Sequence, residues 1–131
     1  MAGIQGIHHV KLPVSDVDRS RDWYERVFGL ELLLEFVEDG VLMGVALADP
    51  DHTVAIGLRG DPDRAKALAG FDPLAIGVPS LADLEAWRDH LASLGEKHDG
   101  IVERPDGHVL LGLHDPDGIE IRLYTADKAA G

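Results

Sequence analysis

The chain has 131 residues, 45% apolar and 27% charged, enough for one globular domain with a sizeable core. Its formal net charge of −12 argues against a nucleic-acid surface, which needs clustered Lys and Arg, and against docking on anionic membranes. No cysteine is present, so disulfides, thiol catalysis and thiolate metal sites are excluded.

The opening MAGIQGIHHVKL has no basic stretch followed by an apolar one, so no signal peptide is expected. The longest apolar run, Val41–Ala48, is too short to span a bilayer. A cytoplasmic protein is the expectation.

The first strand is read at His9–Val14, where Val10, Leu12 and Val14 alternate with Lys11 and Pro13. Ser15–Asp16 offers a cap, and a helix then runs to Phe28 with Val17, Trp23, Tyr24, Val27 and Phe28 as its apolar stripe. Gly29 ends it. Three strands follow, at Leu30–Val37, Val41–Ala48 and Thr53–Leu58. Asp39–Gly40 is the hairpin turn of the first pair, and Asp49-Pro50-Asp51 separates the second. Gly60–Gly70 is a linker with a short helical turn at Asp63–Leu68. The order then repeats: a strand at Leu74–Val78, a helix at Leu81–Leu94, and strands near Ile101–Glu103, Val109–Leu113 and Ile119–Tyr124. A shift of 64 residues places Val10 on Leu74, Leu12 on Ile76, Val14 on Val78 and Trp23 on Trp87.

The chain therefore reads as βαβββ written twice. The fold class is α+β: two modules, about 4–60 and 71–125, form a cupped, mostly antiparallel sheet with the helices on its convex face. They are read as sharing one continuous sheet, hence as a single domain over 1–131. Each half alone would be marginal in size.

Two stretches, IHHVKLPVSDVDRSRDWYERVFGLEL and HDPDGIEIRLY, resemble the opening and closing motifs of the vicinal oxygen chelate superfamily. That group includes glyoxalases, extradiol dioxygenases, fosfomycin-modifying enzymes and bleomycin-resistance proteins. With the duplication, the resemblance covers nearly the whole chain. It is specific for fold and weak for activity, because these proteins share an architecture while doing different chemistry. In metal-dependent members the paired modules hold a divalent ion. A His on each first strand and a Glu, His or Gln on each last strand are its usual ligands. Imidazole and carboxylate suit Zn, Fe, Ni or Mn, and the open positions chelate two neighbouring substrate oxygens.

Carried over position by position, His9 matches on the first strand of module one. Pro73 stands at the equivalent place in module two and offers no ligand atom. Arg122 stands where the last strand usually has Glu. Its counterpart in module one is Gly57 by apolar alignment, or Ile56 by counting from the Asp-Pro-Asp turn. One expected ligand of the four survives, whereas catalytic sites usually keep three. The expectation is no metal and no other cofactor. Glu120, on the face of Arg122 but about 7 Å along the strand, is a partial substitute.

Strand parity puts His9, Lys11, Thr53, Ala55, Gly57, Arg59, Ala75, Gly77, Glu120, Arg122 and Tyr124 on the cup face. Small residues leave volume and polar ones give orientation, which is what a ligand pocket needs. The expected function is metal-independent binding of a small organic molecule. His9 or Glu120 is the general base if there is catalysis, and Lys11 or Arg122 the anion holder. The rival is a metal-dependent lyase, isomerase or dioxygenase using Zn, Ni, Fe or Mn on His9, Glu120 and a third ligand such as His52 or His108. A third reading is a non-catalytic module with a plugged cup. His8 is read as facing away from His9, His90 and His98 as solvated, and both tryptophans as core. The partners expected are a small-molecule ligand and a second copy of the chain, since open sheets leave edges to cover.

Overall fold

The computed structural model describes residues 1–126. The chain divides into two compact units, Met1–Ala65 and Lys66–Gly131. The first contains β1 (Val10–Val14), α1 (Val17–Phe28), β2 (Glu31–Glu38), β3 (Val41–Ala48) and β4 (Ala55–Gly60). After α2 (Pro62–Leu68), which begins in the first unit and ends in the second, come β5 (Leu74–Val78), α3 (Leu81–Ser93), β6 (Gly100–Arg104), β7 (Gly107–Leu111) and β8 (Ile121–Thr125). The architecture is α+β with two βαβββ modules. Backbone hydrogen bonds close two four-stranded sheets, β1-β4-β3-β2 and β5-β8-β7-β6, where one continuous sheet was expected. In each, the first and last strands of the module pair in parallel and the other pairs are antiparallel.

Module one is built by alternation. Val10↔Ile56↔Leu47 and Leu12↔Leu58↔Val45 are cross-strand rows, and Leu12, Val45, Leu47, Ile56 and Leu58 are buried. They pack under α1, whose Trp23, Tyr24, Val27 and Phe28 are buried too. Asp16 caps that helix, its carboxylate accepting from the Arg19 N–H at 3.0 Å, and Gly29 closes it in the left-handed conformation. The β2–β3 turn has Asp39 at φ 50° and Gly40 at φ 76°. Two consecutive left-handed residues make the tight hairpin that the Asp-Gly pair implies.

Module two repeats the design: Leu84 and Leu91 of α3 are buried, as are Leu110, Ile121 and Leu123 of the strands that α3 packs on. Trp87 departs from its counterpart: Trp23 is 5% exposed, whereas Trp87 is only half-buried and meets His90 edge to face. Strand β7 runs Gly107–Leu111 rather than Val109–Leu113, because Gly112 at φ 79° breaks the extended chain. Strand β4 starts at Ala55, not Thr53. The Asp49 carboxylate accepts from the Thr53 hydroxyl and the Val54 N–H, and His52 adopts φ 56°, so this segment is a turn. Thr53 is therefore exposed beside the strand and off the sheet face.

Candidate functional site

The register fixes which module-one residues share the face opposite α1. Lys11 pairs with Gly57, Gly57 with Ala46, and Ala46 with Leu34, so these four form one row across the sheet. The next row is Pro13, Arg59, Gly44 and Phe36. The middle of each row lies on β4 and β3 and is small or, at Arg59, turned outward to Glu38. The flanks are Lys11 and Pro13 on β1 and Leu34 and Phe36 on β2. The outcome is a furrow of about 290 Å³ with His8, His9 and Lys11 along one side and Leu33, Leu34 and Phe36 along the other. Ala46, Ala55 and Gly57 line its middle.

Of the sequence-predicted residues, His9, Lys11, Ala55, Gly57 and Arg59 meet at this furrow. His8 also lines it, contrary to expectation. Pairing begins only at Val10, so strict alternation does not extend back to His8 and His9. The two imidazoles meet edge to face, with their Nδ1 atoms 2.8 Å apart, so one ring donates to the other. Leu33, Leu34 and Phe36 escaped the sequence reading. Their signal was three large apolar residues on β2, where both faces turn out to be exposed.

Electrostatically the furrow differs from the chain as a whole. Among the described residues, no Asp or Glu lines it. Arg59 is spoken for: its Nη1 and Nη2 donate to the two Glu38 carboxylate oxygens at 3.1 and 3.2 Å. This contact holds the Glu38 carboxyl below its ordinary value. Lys11 is exposed and has no ion pair or hydrogen bond among the described residues.

The other predicted residues lie on module two. The pairs Ala75↔Arg122 and Gly77↔Tyr124 correspond to Lys11↔Gly57 and Pro13↔Arg59 of module one. Since Val10↔Ile56 answers to Leu74↔Ile121, the counterpart of Arg122 is Gly57 and not Ile56. The cation has thus changed strands. Module one has Lys on its first strand and Gly on its last; module two has Ala on its first and Arg on its last.

Arg122 shares no face with the buried Ile121 and Leu123. Its Nε donates to Glu120 Oε2 at 2.9 Å and lies 3.5 Å from Asp72 Oδ2. Nη1 makes a longer contact of 3.5 Å with the Tyr124 hydroxyl. Glu120 sits just before β8, bridged to His114, and the Gly112 N–H donates to the same Oε2 at 2.9 Å. Burial pushes the Glu120 carboxyl up. The Arg122 and Gly112 hydrogen bonds and the guanidinium charge outweigh it, holding the group below its ordinary value. The same pairing raises Arg122. Glu120 is therefore an ionised, fully engaged carboxylate, poorly suited to accept a substrate proton. His9, by contrast, is exposed at the furrow.

Comparison with known proteins adds the following. The family model of the Glyoxalase/Bleomycin resistance protein/Dioxygenase superfamily matches residues 6–123. The putative ring-cleaving dioxygenase MhqA of Bacillus subtilis is 27% identical over 98% of this chain, which spans 42% of that protein's length. Among solved structures, TnmS3, an antibiotic-binding protein from Streptomyces sp. CB03234, is similar with a TM-score of 0.76, 24% identity, and 95% and 98% of the two chains covered. A glyoxylase/bleomycin resistance protein/dioxygenase domain from Frankia sp. EAN1pec gives 0.73, 22% identity, and 98% and 96% coverage. At these identities the structural likeness speaks to fold.

Proposed function

The chain belongs to the glyoxalase/bleomycin resistance protein/dioxygenase superfamily, and we propose that it binds a small organic molecule in the furrow of module one without that superfamily's usual divalent ion. The observation that carries this reading is the pairing of Gly57 with Lys11 and Ala46, which leaves a small-residue floor between a basic and an apolar flank. The furrow's volume, about 290 Å³, is at the lower end for small-molecule sites, roughly 300–1,000 Å³. The antibiotic-binding protein TnmS3 is a precedent within the fold for binding as the function.

The metal half of the proposal rests on donor chemistry. The positions at which the superfamily resemblance implies metal ligands are here His9, Gly57, Pro73 and Arg122. Imidazole is the one ligating side chain among them, and a guanidinium repels a cation. Glu120, the nearest carboxylate, is bonded to Arg122 and Gly112. This set does not fit a divalent ion.

A second reading, favoured by the ring-cleaving dioxygenase relative, gives the chain a catalytic role. His9 is then the general base, being exposed at the furrow where Glu120 is engaged elsewhere. A homodimer belongs to the same proposal, because β2 is a sheet edge with Val37 60% exposed beside Val41 at 56%.

The test is a thermal-shift screen of aromatic metabolites, α-keto acids, thiol adducts and antibiotics, with and without chelator, on wild type and Ala46→Trp. Hits that survive chelator and vanish in Ala46→Trp support the proposal. Hits that appear only with added metal overturn it.

A further inference from the structure

We infer that the ligand of the module-one furrow is an apolar ring monoanion, one or two rings in size, lying across the sheet with its carboxylate or ring oxyanion on Lys11. The inference rests on the proposal that the furrow is the binding site, and it names the class of molecule that fits there.

The chain carries 24 acidic against 12 basic side chains, yet among the described residues the furrow's charged and imidazole lining is His8, His9, Lys11 and Arg59, with no acidic side chain. In so acidic a protein, a concave surface whose described lining is basic and apolar, with Glu38 reaching it only through Arg59, favours an anion there and disfavours a cation.

These bases differ in how far they are committed. Arg59 is neutralised by the two-pronged contact with Glu38. The two histidines bond to each other. Lys11 has no partner among the described residues, and its stem lies beside Gly57, where a Cβ would touch the Lys11 Cα, Cβ and Cγ at 3.9–4.0 Å. One permanent, unpaired cation matches one negative charge. A phosphomonoester, with nearly two charges, would call for more.

The surfaces along the row also follow an order. From Lys11 the sheet presents Gly57, then Ala46, then Leu34, with Phe36 on the next row. Three strand spacings separate the first and last of these, about 14 Å. A flat ring needs a floor without side chains, and glycine and alanine provide it. Its far edge needs an apolar wall, which Leu33, Leu34 and Phe36 supply. An elongated saturated chain would leave the Gly57–Ala46 floor poorly filled, and a purely polar acid would leave the β2 wall dry and unused.

Titration calorimetry with 2-naphthoate and its neutral isostere 2-naphthamide tests this on the full chain. The expected result is that naphthoate binds at least tenfold more tightly than naphthamide to wild type. Lys11→Met should weaken naphthoate five- to tenfold and leave naphthamide unchanged, while Lys11→Arg restores most of the difference. Ala46→Trp, with Ala55→Phe as a second block, should abolish both. Equal binding of the two probes, or an equal loss on Lys11→Met, overturns the monoanion. If that equal binding is still abolished by the blocks, the furrow stands as the site. Binding that neither block affects, or no binding of either probe, overturns the furrow reading itself.

Discussion

Replacing Arg122 by Met isolates the energetic role of the module-two ion pair. The Glu120 carboxylate, with its side chain 11% exposed, accepts from Arg122 Nε and from the Gly112 N–H, both at 2.9 Å. Met fills much of the arginine stem's volume but leaves the carboxylate with one donor. Breaking a fully buried pair costs roughly 3–5 kcal/mol. Arg122 is 28% exposed, so water can partly replace the guanidinium, and a loss of about 1–3 kcal/mol is expected at pH 7. For a chain of this length about 2 kcal/mol corresponds to roughly 6–10 °C in Tm. The pH dependence gives the sign. In wild type the Glu120 carboxyl is held below its ordinary value, so its contribution is present at neutral pH and fades as pH falls through the acid range. In the variant burial is opposed mainly by one N–H, and protonation relieves the unpaired charge. The gap between the two proteins should therefore narrow as pH falls toward about 4, the ordinary carboxyl range. Urea denaturation at pH 7 and pH 4.5 measures it. A variant within about 0.5 kcal/mol of wild type at pH 7, or a gap that widens in acid, would refute the reasoning.

Three further outcomes follow from the geometry. Asp16→Ala removes the acceptor for the Arg19 N–H at the start of α1 and should cost about 1 kcal/mol in urea denaturation. Gly44→Ala would place a Cβ 2.6 Å from the Leu58 carbonyl oxygen. The β3–β4 pair must then shift, and a loss of roughly 1–3 kcal/mol is expected by the same assay. Glu38→Gln breaks the Arg59 pair and frees a second cation at the furrow. Naphthoate should bind about two- to fivefold more tightly, the scale of an exposed ion pair, with little change for naphthamide.

What the sequence made legible was whatever repeats with a fixed period. Val10, Leu12 and Val14 alternate, and so do Leu74, Ile76 and Val78. Each triplet fixed its strand's faces, hence the side on which Lys11 and Ala75 stand. The Ser15–Asp16 cap pair and the Gly29 stop delimited α1 to within a residue. Where a side chain diverts the backbone, periodicity failed. The Asp49 carboxylate holds Thr53 and Val54 in a turn and delays β4, and Gly112 ends β7 early. His8 lies ahead of the first ladder pair, so parity had no hold on it. Lys11, Gly57 and Arg59 were readable because they lie on β1 and β4. The furrow's apolar side was not: β2 is a continuous apolar run, and sequence alone does not say which face of an edge strand lines a cavity. A Glu120–Arg122 pair was open to the sequence, because parity sets both on one face, whereas the Gly112 N–H donating to the same carboxylate was not.

The central claim, a small-molecule furrow that works without a metal ion, is tested most directly by elemental analysis of untagged protein alongside naphthoate affinity before and after chelation. The account predicts well under one Zn, Ni, Fe or Mn per chain and an affinity that neither chelator nor added metal changes. About one equivalent of metal, lost together with binding on His9→Ala, would contradict it.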